Sequence, residues 1–434
     1  MTTQVHLRAA ATEPASTERP DANAIAALAP EDLDGLMGQA RSRKIASLSD
    51  WLVRRARDPI MPSERIAELC DRLLGAGLPL DRFGASTETL DAQHDAIGRL
   101  WVRGESVSER LYVKPPGEEE SAGYLTSPFK AAADSGRWVD LWLPETDDAA
   151  FGIVPELKQG GFVHYLCIPV TLLTEAHGWF TFATRHPEGF SAADVAAIAR
   201  VLPPLALLME MRSTWVSLRN LLRTYVGTDP QAAILRGNVK RGQVSAITSA
   251  MLFADMRNSV GHTADLSATE AVAVFNALFD CLVPPIESRQ GEVLKYIGDG
   301  LLAIFRETED CVACDAAERA LAAAEEALRG LDERNRAHPE EPPIHVGIAL
   351  HYGEAAYGNV GSGVRLDFTV IGKDVGLASR IAQMNRSLSE PLLMSGAFAH
   401  RLREQGLRLG AFPARGFKDP VEVYRPLVPR DKGS

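Results

Sequence analysis

Residues 291–297 and 301–305 are two short apolar runs separated only by Gly298, Asp299 and Gly300. Strand-length runs that close together fold back as an antiparallel hairpin, because glycine reaches the backbone conformations a tight turn needs. The spacing therefore places one carboxylate, Asp299, at a hairpin tip. Upstream, the apolar run 244–253 reads as a strand whose end carries Asp255, and residues 268–287 are patterned as a helix. Downstream, an Ala-rich helix is predicted over 311–334, strands over 345–351 and 367–371, and a helix over 374–384. Strand, helix, hairpin, helix, strand is the ferredoxin-like order, so residues 244–429 are expected to form an α+β domain of that kind.

That domain uses less than half of a 434-residue chain, and a second core is expected before it. Residues 1–30, rich in Ala, Thr, Glu and Pro, read as a disordered leader. Residues 48–74 read as two helical pieces broken near Pro59 and Pro62. Strand-like runs follow at 97–102, 110–113, 163–173 and 178–184, with helices or loops at 127–135 and 150–158 between them. The result is a predicted α+β module over 45–202, whose ordering resembles GAF sensory domains. An apolar stripe continues from 191 to 225, with a break expected at Pro203 and Pro204. Its latter part, within a segment 203–243 taken as signalling helix and linker, suits either a parallel coiled coil between two chains or packing on its own domain.

A formal charge of −11 and a pI near 5.5 argue against a nucleic-acid partner, while leaving nucleotides open. No run of eighteen or more apolar residues is present, so no membrane span is expected. Five cysteines, few and odd in number, suit a reducing cytoplasm. Cys311 and Cys314 form a lone C-x-x-C without a second pair, read as helix positions and not as a zinc site. His164, His177 and His186 are scattered and read as structural, and Trp138, Trp142 and Trp179 as core.

Asp255 and Asp299 form the chemical pair of interest. A carboxylate at a strand end is commonplace, but two that meet side by side offer oxygen ligands to Mg²⁺, which takes one or two carboxylates together with substrate phosphates.

The words around these residues are more specific. FADM at 253–256, KYIGDGLLAIF at 295–305, DFTVIG at 367–372 with LASR at 377–380, and RGFKDPVEVY at 415–424 resemble, in order, the catalytic blocks of class III adenylate and guanylate cyclases. The resemblance implies a metal set of Asp255, Met256 and Asp299 holding two Mg²⁺ or Mn²⁺ ions. It implies that Lys295 and Thr369 read the base: an ammonium donates to adenine N1 and a hydroxyl accepts from the adenine amino group, which favours ATP. By itself Lys295 also reads as a solvated strand lysine, and Thr369 as a residue of high β-propensity. Arg380 matches the transition-state arginine, whose planar, permanently charged fork suits a phosphate in flight. Arg415 matches a basic phosphate contact. The implied assembly is a symmetric homodimer with two equivalent sites at the interface.

The sequence departs from the family at two places. Gly376 stands where an Asn usually orients the ribose, and Asn258, Ser259 and Val260 replace a frequent Gly-Phe-Thr in the phosphate-binding turn. A nucleotide sensor without turnover, a cyclase acting on another nucleoside triphosphate, and an interaction scaffold are the alternatives. Nothing names the ligand or partner of residues 45–202.

Overall fold

The computed structural model describes residues 19–55, 63–113, 120–173, 176–307 and 316–427, and the Cys311–Cys314 pair lies outside them. The chain divides into two units, 1–221 and 222–434.

The N-terminal unit is built on six strands: β1 (Arg82–Glu88), β2 (Ala96–Val102), β3 (Ser108–Tyr112), β4 (Val139–Trp142), β5 (His164–Thr171) and β6 (His177–Thr184). They form one antiparallel sheet in the order β3-β2-β1-β6-β5-β4. Strand alternation divides its core in two. In β5, Leu166 and Ile168 join a cluster with Leu69, Phe83 and Val195, whereas Tyr165 and Cys167 pack with Leu157 and Trp179 on the other face. Helices Gln39–Arg55, Ser63–Gly75 and Ala192–Val226 cover the first face, and short helices Pro128–Ser135 and Val154–Gln159 the second. His164 is structural, accepting from the Phe190 amide at 3.0 Å and pairing with Asp140 at 2.7 Å.

Three expectations are corrected here. Part of the expected leader is ordered: helix Ala22–Ala26, capped by Asp21, buries Ala22 and Ile25 in the core, so the unit begins well before residue 45. Pro203 and Pro204 do not end the helix, which runs unbroken from Ala192 to Val226, and the boundary between the units falls near its end and not at 202. Val195, Ile198, Val201, Leu205 and Leu208 are buried on both sides of the prolines, and that packing outweighs the lost backbone bonds. Part of the expected linker is also structured: helix Thr228–Leu235 buries Ala233, and its Asp229 forms an ion pair with Arg306.

The C-terminal unit carries β7 (Val244–Met256), β8 (Glu292–Ile297), β9 (Gly300–Arg306), β10 (Val346–Gly361), β11 (Leu366–Ile371), β12 (Leu392–Ser395), β13 (Leu407–Phe412) and β14 (Val421–Arg425). Their order is β13-β14-β12-β10-β7-β9-β8, with β11 paired to the far end of β10. Helix Ala268–Ser288, started by a capping box at Ser267 and Glu270, joins β7 to β8, and helix Ala316–Ala337 lies between β9 and β10. Apart from the five-residue helix Ser259–Thr263 after β7, the elements from β7 to β10 therefore run β-α-β-β-α-β. In β7, Ala250, Leu252, Ala254 and Met256 face these two helices, while Met251 and Phe253 face helix Lys373–Leu388.

Two helices, Ala192–Val226 and Ala268–Ser288, are long and apolar enough by length and composition alone to cross a membrane, which the sequence count missed. Half of the qualifying window of the first is buried in the protein, and the second buries Leu278, Leu282 and Ile286 against the sheet.

Candidate active site

β7 and the β8–β9 hairpin fix the two acidic residues. Asp255 lies opposite Gly300 in the β7–β9 register, and the Met256 amide donates to the Asp299 carbonyl at 3.2 Å. The strand end and the hairpin tip thus meet. Gly300 is required for this approach: a Cβ there would stand 2.3 Å from the Ala254 carbonyl oxygen. Gly298 adopts φ +62, the left-handed turn position the sequence calls for. Burial and the Asp299 charge push the Asp255 carboxyl above its ordinary range. Neither carboxylate forms an ion pair among the described residues. The Met256 side chain is buried on the opposite face with the helical core, so only its backbone adjoins the pair.

Lys295 sits beside a register shift between Val293 and Lys295, opposite Leu302. A bulge of this kind re-aims a side chain. Its Nζ pairs with Asp367 Oδ2 at 2.8 Å, joining β8 to β11. Thr369 lies two residues further along β11, 4% exposed, and its hydroxyl is buried with no hydrogen-bond partner among the described residues. Phe368 and Val370, the alternate residues, anchor the strand in the core.

Arg380 is on helix Lys373–Leu388 between the buried Ala378 and Ile381, and its Nη1 donates to Gln383 Oε1 at 3.2 Å. Arg415 is exposed in the connection between β13 and β14. Within one chain, then, the aspartates form one group and Lys295 with the Thr369 strand another, and no contact joins Arg380 or Arg415 to either among the described residues. Gly376, on the same helix, is exposed, and a Cβ there would meet nothing within 4 Å.

Two contributors were not assigned roles from the sequence. Asp367 holds Lys295. Arg257, directly after the β7 end, donates through its backbone to His345 at 2.8 Å and through Nη2 to the carbonyls of Asn385 and Glu390, which ties the turn after Asp255 to the end of helix Lys373–Leu388. Asn258 follows with φ +56, a left-handed position that Asn tolerates better than most residues. A cavity of about 410 Å³ in this unit, lined by Arg236, Arg306 and Tyr357, lies at the Val244 end of β7, roughly 35 Å along the strand from Asp255.

Residues 242–414 match the family model described as the adenylate and guanylate cyclase catalytic domain. Among curated relatives, the chain is 32% identical to an adenylate cyclase of Anabaena cylindrica, covering 43% of this chain and 38% of that protein. It is 27% identical to adenylate cyclase 1 of Rhizobium meliloti, covering 40% and 26%. The chain thus spans well under half the length of these relatives. Among solved structures it is similar to the adenylyl cyclase CyaB from P. aeruginosa, 22% identical over 44% of this chain and 100% of that one, with a TM-score of 0.39. On the family model and the catalytic words it encloses, residues 242–414 belong to the class III adenylate and guanylate cyclases.

Proposed function

We propose that the protein converts ATP to 3′,5′-cyclic AMP and pyrophosphate. The observation that carries this reading is the Asp255–Asp299 pair: adjoining carboxylates without a basic partner, one already held above its usual range by burial and by the other's charge. Such a donor set fits hard divalent cations. Mg²⁺ or Mn²⁺ bound there supplies positive charge to the triphosphate and makes the ribose 3′-hydroxyl easier to deprotonate. Asp255, the Met256 backbone and Asp299 then orient the triphosphate end. Lys295, steadied by Asp367, donates to adenine N1, and the partnerless Thr369 hydroxyl accepts from the adenine amino group. Guanine carries a proton on N1, so the same ammonium faces a donor. Arg380 stabilises charge on the reacting phosphate, and Arg415 adds a phosphate contact.

We read the C-terminal core as ferredoxin-like from its β-α-β-β-α-β order, and the N-terminal unit as a GAF-like sensory module from its antiparallel sheet with helices on both faces. The separation of the aspartates from Arg380 supports a homodimer in which each site takes its metal-holding half from one chain and its base-reading and arginine half from the other.

One observation favours a second reading. Gly376 leaves open space where a ribose-orienting side chain would stand, as in a cyclase fold that binds nucleotide without turnover. A single assay separates the readings: the full chain with ATP or GTP and Mg²⁺ or Mn²⁺, followed for cyclic product, beside Asp299→Ala. Cyclic AMP formed from ATP at least about tenfold faster than cyclic GMP from GTP, and lost in Asp299→Ala, is expected. Nucleotide binding without pyrophosphate release would establish the sensor instead.

A further inference from the structure

Helix Ala192–Val226 and β1 run side by side in the same direction in the N-terminal unit. Leu205 and Phe83 share one core cluster at one end. At the other, Ser217 Oγ accepts from the Leu90 amide at 3.4 Å and Asn220 Nδ2 donates to Asp91 at 2.6 Å. Between them, with β2, β6 and helix Ser63–Gly75 as further walls, is a cavity of about 130 Å³. At the Phe83 end the lining is apolar, with Leu69 and Phe180, while Arg212, Ser213 and Thr89 bring polar groups towards the other end, beside the apolar Ile97 and Val216.

Arg212 is the anomaly. Its Nη1 is buried and has no hydrogen-bond partner among the described residues. Burial, followed by the positive charges of Arg99 and Arg65, pulls its pKa down to about 10. Arg99 also lines the cavity, and Glu109, the acid that works against the shift, is already engaged by Arg99 at 2.6 Å. Burying an unpaired guanidinium N–H is costly, and a crowd of arginines adds to the cost. Both are relieved by one anion at that end. A guanidinium edge matches a carboxylate in planar, two-pronged geometry. The apolar end excludes a ligand that is charged or hydroxylated throughout, and the volume, close to that of a cavity that accepts benzene, limits the body to about six or seven carbons.

We propose that this cavity binds a small apolar monocarboxylate, its carboxylate on Arg212 and its hydrocarbon body among Leu69, Phe83 and Phe180. The inference rests on the N-terminal unit alone and does not require the cyclase reading.

Calorimetric titration of the full chain tests it, with benzoate and hexanoate as probes and benzyl alcohol and hexanol as their uncharged counterparts. Saturable binding of one carboxylate per chain, at least about tenfold tighter than the matching alcohol, is expected from a charged hydrogen bond. Arg212→Met keeps the packing of the side-chain stem and should reduce that preference to within about twofold. Arg99→Gln, on the sheet, should weaken it partially and gives an independent answer if Arg212→Met fails to fold. Equal affinity for acid and alcohol, no saturable binding of either acid at about 10 mM (a weaker limit than any useful sensor), or an undiminished preference in both variants would overturn the assignment.

Discussion

Glu292 begins β8 and accepts hydrogen bonds from the Asp229 amide at 2.8 Å and the Tyr357 hydroxyl at 3.3 Å. Burial pushes its pKa up from 4.5 to about 7, against the smaller opposing effect of the Tyr357 bond. The folded chain therefore keeps a proton that the unfolded chain releases near 4.5. The stability this proton contributes is complete below that pH and is lost as pH rises towards 7. Glu292→Gln should leave stability near pH 4.5 almost unchanged and raise it by about 1–2 kcal/mol at pH 8, read from denaturant midpoints at the two pH values. A variant equally destabilised at both would contradict the sign. At this scale the sequence exposed Asp255, Asp299 and Lys295 because each sits inside a recognisable word. It could not expose Asp367 as the partner of Lys295, since the two are 72 residues apart and only the β8 bulge and the β10–β11 pairing bring them together. Arg257 was equally hidden, because its side-chain acceptors are backbone carbonyls that no side-chain pattern encodes.

Among the elements, the β8–β9 hairpin controls the site. Gly300→Ala would drive a methyl into the Ala254 carbonyl and part the hairpin tip from β7. A stability loss of about 2 kcal/mol is expected, with cyclase turnover lowered about a hundredfold or more by misplacement of Asp299. Chemical denaturation and a product assay measure the two effects, and unchanged turnover would remove the hairpin from the mechanism. Helix Lys373–Leu388 offers the opposite experiment. The Cβ of Gly376→Asn meets no described neighbour within 4 Å, and the change favours the helix by a few tenths of a kcal/mol and places a polar side chain four residues before Arg380. Turnover should rise or hold, and a large loss would contradict the role given to that position. The hairpin was legible because adjacent glycines encode it. β1, Arg82–Glu88, was not: its alternation is weak, and pairing on both sides with β2 and β6 makes it a strand. The second half of β10 was missed for the same reason, since its residues 356–361 are held by β11.

For the whole molecule, we take a dimer as the functional unit of the proposed enzyme, because no contact joins the acidic pair to Arg380 within one chain among the described residues. The order of strands and helices could be read from periodicity, but which residues share a site depends on sheet order and on a second copy, neither of which lies in local pattern. Mixing two inactive variants is the most direct measurement. Asp299→Ala removes one half of each site and Arg380→Ala the other, so each homodimer should be inactive. After equal mixing and exchange, half the dimers pair the two variants and carry one intact site of two, so activity should return to about a quarter of the unmutated level. Exchange into mixed dimers without any recovery would contradict the assignment of the acidic pair and Arg380 to opposite halves of one shared site.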